Sequence, residues 1–233
     1  MYTIIPLAGP DFILKDGSLR PLYLVDGEHL LMKAIKSRFW YKNGQVADEK
    51  ILFVLRDTPL TPDFIQFLKK HFQKSKVVVL SDLTQGALLS ALAGTALITD
   101  FQAPICVDLV DILYDCDQSP LQCFSNDKNL YGVIPCFSSS NEKYSYLKIE
   151  KEEVIETVEK RVISSEASAG TYFFKNLPTF LEAIAYSLDH KDELAFKSNL
   201  FLCPSFNGLI ANSKKVIPFP VKNVLSLSTL FST

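Results

Sequence analysis

The stretch TIIPLAGPDFILKDGSLRPLYLVDG, residues 3–27, begins as an apolar strand and continues into a loop that contains glycines, aspartates and an arginine. A run that is apolar at every position is typical of a strand buried on both faces in a parallel sheet. The strand ends in Leu7, Ala8 and Gly9, and a glycine without a Cβ lets an anion approach backbone N–H groups. Considered alone, the loop is either a plain strand-to-helix turn or a phosphate-binding loop.

The first half of the chain repeats this order of strand and helix. Apolar runs predict strands over 2–7, 51–55, 76–80 and 104–110, and helical spacing predicts helices over 30–39, 62–72 and 86–99. The alternation favours a doubly wound, mostly parallel α/β sheet. Ligands of such sheets bind at the carboxyl ends of the strands, where the loop after Gly9 also lies.

The pattern changes in the second half of the chain. Short runs over 131–137, 144–150 and 154–159, separated by the polar turns SSSNE and EKEE, predict an antiparallel meander. A strand over 168–175 and a helix over 177–189 follow, the helix with a proline in its first turn. Because no Gly-, Pro- and Ser-rich linker separates the halves, we expect one domain over residues 1–233, a mixed sheet with an antiparallel extension.

Composition narrows the class of protein and of partner. The 233 residues, 48% of them hydrophobic, are enough to bury a large core. A net charge of −2 without a long block of one sign argues against nucleic acid or an anionic membrane as a partner. The five cysteines have irregular spacing, which is typical of reduced thiols, and the amino terminus lacks the pattern of a secretion signal. We expect a cytoplasmic protein.

A polar turn, SDLTQGA at 81–87, lies between a predicted strand and a helix rich in small residues. Thr84 is a candidate helix cap, and the Gln85 amide offers both a donor and an acceptor to the edge of a nucleobase. Gly86 completes the turn. The alternative is an ordinary capped turn without a ligand.

An acidic segment, PICVDLVDILYDCD at 104–117, carries four aspartates, Asp108, Asp111, Asp115 and Asp117. Carboxylates at the end of a buried strand suit Mg²⁺ with a bound phosphate, which commonly uses one or two protein carboxylates. Asp108 and Asp111 lie an odd number of residues apart, so at most one of them faces a given site on a straight strand. The alternative is a solvated strand exit.

A third candidate region combines Glu159 and Lys160 with the later run ASAGTYFF at 167–174. A lysine beside a strand end neutralises a substrate phosphate as a point charge, and Gly170 allows a sugar to lie against the backbone. The alternative is a surface ion pair followed by an ordinary strand glycine.

Taken together and in order, these features resemble the sugar-phosphate nucleotidyltransferase family, especially its capsular-polysaccharide branch. The resemblance covers nearly the whole chain. It rests on IIPLAG with LRPLYLVDGEHLL for the glycine-rich loop, LTQGALLSAL for the base-recognition turn, PICVDLVDILYD for the metal-binding strand, the run from GVIPCF to GTYFF for the sugar-binding half, and CPSFNGLI for a late helix.

The resemblance implies a Rossmann-like sheet of the nucleotide-diphospho-sugar transferase type. On it, Mg²⁺, an NTP or nucleotide sugar, and a sugar phosphate or similar phosphorylated acceptor meet. The acceptor phosphate attacks the α-phosphorus and releases pyrophosphate, a reaction that depends on positioning and charge neutralisation. Residues 1–120 correspond to the nucleotide-binding half and residues 121–233 to the sugar-binding half; oligomers stay open.

The resemblance also assigns roles to residues. Leu7, Ala8, Gly9, Gln85 and Gly86 match nucleotide-binding positions, Asp111 matches the metal ligand, Glu159, Lys160 and Gly170 match substrate-binding positions, and Arg20 matches the catalytic lysine. Arg20 keeps the charge of that lysine but not its shape.

Besides Arg20, two elements depart from the family pattern. The family continues after its first glycine with a second glycine and an arginine, whereas Gly9 is followed by Pro10, which lacks an N–H, and by Asp11, whose charge repels a triphosphate. LSLSTLFST at 225–233 resembles a degraded Leu-Gly-Thr-Pro segment without a second metal carboxylate.

Three hypotheses therefore stand at the level of sequence. The first is a nucleotidyltransferase-like protein that binds an NTP or nucleotide sugar and uses Arg20 and Asp111 for transfer. The second is a catalytically inactive scaffold or regulatory relative. The third is a nucleotide-sugar-dependent glycosyltransferase, for which DCD at 115–117 has the D-x-D form.

Overall fold

The computed structural model describes residues 1–227. The strands are β1 (Tyr2–Leu7), β2 (Leu24–Val25), β3 (Glu28–His29), β4 (Ile51–Arg56), β5 (Lys76–Leu80), β6 (Ile105–Asp108), β7 (Ile112–Asp115), β8 (Leu130–Ser138), β9 (Tyr146–Glu150), β10 (Glu153–Val158), β11 (Glu166–Ser168), β12 (Thr171–Phe174), β13 (Lys215–Pro220) and β14 (Lys222–Ser226). The α-helices are α1 (Leu30–Ser37), α2 (Phe39–Lys42), α3 (Thr61–His71), α4 (Ala87–Gly94), α5 (Leu121–Asn126), α6 (Leu177–Asp189), α7 (Lys191–Leu194) and α8 (Leu202–Ala211).

One large mixed sheet organises the chain. Its order is β10-β9-β11-β8-β12-β6-β1-β4-β5, and β13 pairs with β8. β1 lies inside the sheet and pairs in parallel with β4 on one side and β6 on the other, and β4 pairs in parallel with β5. The apolar run that begins at residue 3 is therefore a central strand, which confirms the predicted α/β sheet.

The antiparallel extension is also confirmed. β12 pairs antiparallel with β6, and β9, β10 and β11 form antiparallel ladders beyond β8. The strand predicted over 168–175 is two strands, because Gly170 has a positive φ of 75° and separates β11 from β12. This break lies next to the candidate site.

Helices cover both faces of the sheet, as a doubly wound fold requires. α1 and α3 pack on one face with Trp40 and Phe173, and α4, α6 and α8 pack on the other. α4 lies so close to the strands that a Cβ on Gly94 would be 2.9 Å from Cγ2 of Ile4. The small residues of this helix thus allow the close packing that its composition predicts. No helix within the described range is long and apolar enough to cross a membrane.

Three predicted boundaries shift, each for a local reason. The helix predicted over 30–39 ends at Ser37, because Arg38 is extended, with φ −67° and ψ 130°. The helix predicted over 86–99 is regular only to Gly94 and then continues as a 3₁₀ turn. The strand predicted over 104–110 ends at Asp108, because Val110 has a positive φ of 51°.

Candidate functional site

Two adjoining cavities lie at the carboxyl ends of the parallel strands. The first, of about 360 Å³, is lined by residues 6–12 after β1, by residues at the start of α4 and by residues 109–111 after β6. The second, of about 350 Å³, is lined by residues 143–145, by the end of β10 and by the break between β11 and β12. Both cavities share the residues Asp11, Arg20, Leu109, Asp111, Lys160 and Phe201. This shared set is called the junction below.

Asp111 is the most distinctive side chain of the junction. Its Oδ1 atom is buried and has no hydrogen-bond partner among residues 1–227. Burial raises the pKa of the Asp111 carboxyl, the nearby Arg20 charge lowers it, and the charge of Asp108 raises it. A buried carboxylate oxygen without a donor costs free energy unless a ligand or cation meets it. Asp111 is therefore the side chain that best fits a bound cation.

The direction of the Asp111 side chain is set by a buried ion pair at the start of the same loop. Nε of Arg38 donates to Oδ2 of Asp108 at 2.7 Å, and Nη2 donates to Oδ1 at 2.8 Å. Nη1 of Arg38 also donates to the carbonyl of Ile112 at 2.9 Å. Both side chains of the pair are 1% exposed. Arg38 thus holds both ends of the loop that carries Asp111.

Asp108 and Asp111 diverge, and the backbone between them explains why. The N–H of Val110 donates to Oδ1 of Asp108 at 2.9 Å, and the positive φ of Val110 turns the chain. Asp108 points toward Arg38, whereas Asp111 points into the cavities. Only one of the two faces the site, as their odd spacing predicts, although a turn rather than a straight strand produces the divergence.

Gly170 leaves room for the Asp111 carboxylate. A Cβ at Gly170 would lie 2.7 Å from Oδ1 of Asp111, and the φ of 75° at this position favours glycine. The carbonyl of Gly170 accepts the N–H of Leu109 at 3.0 Å. Gly170 therefore lines the second cavity and at the same time permits Asp111 to occupy its place.

The end of β1 and the loop after it bring Leu7, Ala8 and Gly9 to the wall of the first cavity. After Gly9 the chain forms a short 3₁₀ turn over Pro10–Phe12, in which the N–H of Phe12 donates to the carbonyl of Gly9 at 3.1 Å. Gly9 itself is extended, with φ −69°. The turn places the Asp11 side chain at the junction.

Arg20 lies opposite this turn, at the start of a second 3₁₀ turn over Arg20–Leu22. Its guanidinium forms an ion pair with the carboxylate of Asp11. The Arg20 side chain is 18% exposed and that of Asp11 is 61% exposed, so the pair lies at the mouth of the cavities rather than in the core. The sequence predicts Arg20 at the site, but it does not predict the ion pair with Asp11.

Gln85 and Gly86 have different positions. Gly86 lines the first cavity, and its φ of 109° together with a 2.6 Å approach of a Cβ to the Leu200 nitrogen requires glycine. The exposed Gln85 is not among the lining residues, and its Oε1 accepts from Nζ of Lys191 at 2.5 Å. The structure thus brings Gly86, but not the amide of Gln85, to the cavity.

The hydroxyls of Thr84 and Ser90 lie at the cavity wall near Gly86. They are hydrogen-bonded to each other at 2.7 Å, and Thr84 donates to the carbonyl of Gly86 at 2.9 Å. The side chains of Asn199 and Phe201 line the same region. No motif pointed to these last two residues, because they lie in the irregular segment before α8 and reach the site only through the tertiary fold.

Glu159 and Lys160 both reach the second cavity, at the end of β10. The hydroxyl of Ser145 donates to Oε2 of Glu159, and burial raises the pKa of this carboxyl. Nζ of Lys160 lies 5.3 Å from the ring centroids of both Phe196 and Phe201, a cation–π arrangement. Lys160 is thus held at the junction by aromatic rings.

The second cavity is rich in hydroxyl groups. The hydroxyl of Ser168 donates to that of Tyr172 at 3.0 Å, and both residues line this cavity beside Ser145 and Gly170. Ser226, at the end of β14, also lines it. The arrangement offers several polar oxygens to a ligand rich in hydroxyl groups.

The D-x-D segment lies elsewhere. Oδ2 of Asp115 accepts from Nδ2 of Asn223 at 3.1 Å, and Asp117 pairs with Lys222 at 2.6 Å. Both aspartates are exposed, and neither lines the two cavities. Of the carboxy-terminal segment 225–233, residues 228–233 lie outside the described residues, whereas the N–H of Leu227 donates to the carbonyl of Asp111 at 2.9 Å.

Several solved structures superpose with this chain over most of its length. A nucleoside-diphosphate-sugar pyrophosphorylase from Vibrio cholerae RC9 superposes with a TM-score of 0.80 at 21% identity, over 97% of this chain and 95% of that one. This chain has the nucleotidyltransferase fold. An inositol-1-phosphate CTP transferase from T. maritima matches at TM-score 0.69 and 13% identity, over 96% and 86% of the two chains.

A third neighbour extends the similarity to a structure with a bound ligand. A UDP-glucose pyrophosphorylase complexed with UDP-glucose matches at TM-score 0.69 and 16% identity, over 99% of this chain and 95% of that one. No protein-family model matches the sequence, and no curated protein matches it either. Identities of 13–21% support the fold, and the chemistry must be argued from the site.

Proposed function

We propose that the protein binds a nucleotide or nucleotide sugar across the two cavities, with the phosphates at the junction. The observation that carries this proposal is the buried Oδ1 of Asp111, which has no partner among the described residues and lies beside Arg20 and Lys160. The junction combines cationic side chains with a carboxylate that can bind a metal ion, and this combination suits a series of linked phosphates. The nucleoside would occupy the first cavity and the sugar the second.

Mg²⁺ fits this arrangement with Asp111 as its protein ligand. No group of three or more His, Cys, Asp or Glu side chains forms a metal cluster within residues 1–227. A single carboxylate is nevertheless enough, because Mg²⁺ commonly takes one or two carboxylates and completes its shell with phosphate oxygens and water. When bound, the ion neutralises phosphate charge and polarises the phosphoryl group.

Each remaining residue has a role in the proposal. Leu7, Ala8 and Gly9 form the wall against which the nucleotide lies, and Gly86 allows the segment before α8 to close the first cavity. Glu159, Lys160 and Gly170 border the sugar and its phosphate. Arg20 would neutralise the phosphates if transfer takes place. Because the motifs resemble the capsular-polysaccharide branch, we extend the proposal to a sugar used in capsular polysaccharide. Residues 1–120 would form the nucleotide-binding half and residues 121–233 the sugar-binding half.

Calorimetric titration tests binding. We expect heat of binding with Mg²⁺ and at least one member of a panel containing the five common nucleoside triphosphates and a nucleotide sugar of each base. Asp111→Asn should abolish the Mg²⁺ dependence, whereas the exposed Asp115→Asn, a matched control on the following strand, should not. A folded wild-type protein that binds none of these compounds would refute the proposal.

A second function is favoured by one specific observation, the ion pair of Arg20 with Asp11. An arginine already neutralised by a carboxylate is less available to phosphates, so we propose a non-catalytic scaffold or regulatory relative as the alternative. Pyrophosphate release from any NTP and sugar phosphate, lost in Asp111→Asn, would exclude this alternative. Binding of a nucleotide without any release of pyrophosphate would support it.

A further inference from the structure

We infer that Asp11 makes the site selective, so that it accepts a nucleoside diphosphate linked to a sugar and rejects a nucleoside triphosphate. The inference rests on the proposed function, which leaves open the choice between these two ligands. It concerns a residue of the junction that the resemblance assigns to no role.

The position of Asp11 follows from the short turn after Gly9. Pro10 begins the turn and has no N–H to offer, and the N–H of Phe12 is bonded to the carbonyl of Gly9. The side chain that this turn directs to the junction is a carboxylate. A loop suited to a terminal phosphate presents N–H donors or cations. This loop presents a negative charge instead.

Among residues 1–227, the charged side chains that line the first cavity balance one another. Its acidic side chains are Asp11 and Asp111, and its basic side chains are Arg20 and Lys160. One of the two cations, Arg20, is already paired with Asp11. With Mg²⁺ bound at Asp111, the positive charge of the ion balances the diphosphate of a nucleotide sugar. A terminal phosphate would bring further negative charge with no cation left to meet it, and like charges in close contact oppose binding. A sugar in the same position carries no such charge.

The junction also favours one ligand that spans both cavities. Asp111 and Lys160 line both cavities. Two linked phosphates placed between them would contact a cation bound at Asp111 and the ammonium group of Lys160. From that point the second cavity continues with hydroxyl groups of Ser145, Ser168 and Tyr172. These groups suit the hydroxyls of a sugar better than a third phosphate.

Arg20 has to leave Asp11 before it can bind a terminal phosphate. Binding of a triphosphate therefore includes the loss of an existing ion pair, whereas binding of a nucleotide sugar leaves that pair intact. Replacement of the carboxylate by an amide removes both the repulsion and the competition for Arg20. The variant Asp11→Asn should thus gain affinity for triphosphates in particular.

Titration calorimetry with Mg²⁺ tests this selectivity on base-matched pairs: UTP with UDP-glucose, dTTP with dTDP-glucose, ATP with ADP-glucose, CTP with CDP-glucose and GTP with GDP-mannose. For the base that the wild-type protein prefers, we expect the nucleotide sugar to bind at least about tenfold more tightly than the triphosphate. In Asp11→Asn the ratio should fall by about tenfold, mainly through tighter binding of the triphosphate.

The control is Asp16→Asn, which makes the same change of charge in the same loop. Asp16 is exposed and lines neither cavity, and its amide would still accept the hydrogen bonds of Ser18. This variant should keep the wild-type ratio. Asp11→Ser serves as a second variant and should change the ratio in the same direction as Asp11→Asn, with folding checked by circular dichroism.

The outcomes of these titrations distinguish a failure of the selectivity from a failure of the proposed function. If the protein binds nucleotides but the wild type prefers the triphosphate, or if the Asp11 variants keep the wild-type ratio, the selectivity is wrong while the proposed function stands. If folded wild-type protein binds neither member of any pair, the proposed function fails and the selectivity fails with it. A preference for the sugar that only the Asp11 variants lose supports the inference.

Discussion

Arg38→Met should be strongly destabilising, because it removes one partner of a fully buried ion pair. The Arg38 guanidinium makes two charged hydrogen bonds to Asp108 and a third bond to the Ile112 carbonyl, and the pair is 1% exposed. Two charged hydrogen bonds at about 1.5–3 kcal/mol each agree with the loss of about 3–5 kcal/mol for breaking a buried pair. This is a large part of a typical domain stability of about 5–15 kcal/mol.

Urea unfolding gives the measurement, followed by circular dichroism and by the fluorescence of Trp40, the single tryptophan, which is 2% exposed. The double variant Arg38→Met, Asp108→Asn should recover part of the loss. The Asp108→Asn change removes the buried carboxylate charge that would lack a partner, and the new amide oxygen still accepts the N–H of Val110. The double variant also separates the cost of a buried charge from the loss of packing.

The matched control is Arg161→Met. Arg161 lies 3.7 Å from Glu156 in an ion pair whose side chains are 69% and 44% exposed, so its removal should change the free energy of unfolding by less than about 0.5 kcal/mol. A loss below about 1 kcal/mol in Arg38→Met would show that the buried pair does not hold the loop, and would refute the reasoning. Weaker Mg²⁺-nucleotide binding should accompany the loss of stability, because the loop carries Asp111.

Three more changes test the geometry of the site. Gly170→Ala should lose about 1–3 kcal/mol of stability and weaken Mg²⁺-nucleotide binding in calorimetry, because a Cβ would lie 2.7 Å from Oδ1 of Asp111 at a positive φ. Gly86→Ala should lower the melting temperature, since its Cβ would press on the backbone of the segment before α8. Burial raises the pKa of Glu159, so its contribution to stability is present at low pH and is lost as pH rises through the folded-state pKa. Glu159→Gln should therefore gain stability relative to the wild type as pH rises above the ordinary glutamate pKa, as urea unfolding at a series of pH values would show.

Matched controls accompany these changes. Gly17→Ala also places alanine at a positive φ, of 84°, but its Cβ would meet nothing within 4 Å, so it should cost less than Gly86→Ala. Glu142→Gln makes the same change at an exposed carboxyl that lines neither cavity and serves as the control. Equal effects at both glycines, or an equal pH dependence in Glu159→Gln and the wild type, would contradict the predictions.

Much of the site was accessible from local sequence. The strand end before Gly9, the turn at Gly86 and the glycine at 170 all come from short-range patterns, and parallel strands bring their carboxyl ends to one edge of the sheet. In the structure, Arg20, Asp111 and Lys160 line both cavities, and Glu159 lines the second.

Other features of the site depend on contacts that no local pattern records. Gln85 occupies the predicted turn, yet its amide binds Lys191, which is 106 positions away along the chain. Asn199 and Phe201 carry no motif and reach the first cavity because α8 packs against α4. Side-chain direction in such turns follows from tertiary neighbours, so a turn was predictable where the direction of its amide was not.

Patterns in the sequence predicted the central sheet and the edge at which its strands end. Continuous apolar runs favour strands that are buried on both faces, and their alternation with helices favours a parallel arrangement. Which charges meet depends on the tertiary fold. Arg38 pairs with Asp108, 70 positions away along the chain, so that Asp111 is the aspartate of this loop that faces the cavities, and Asp11 pairs with Arg20 at their mouth. Apolar burial is set by composition along each segment, whereas ion pairing depends on distance and direction in space.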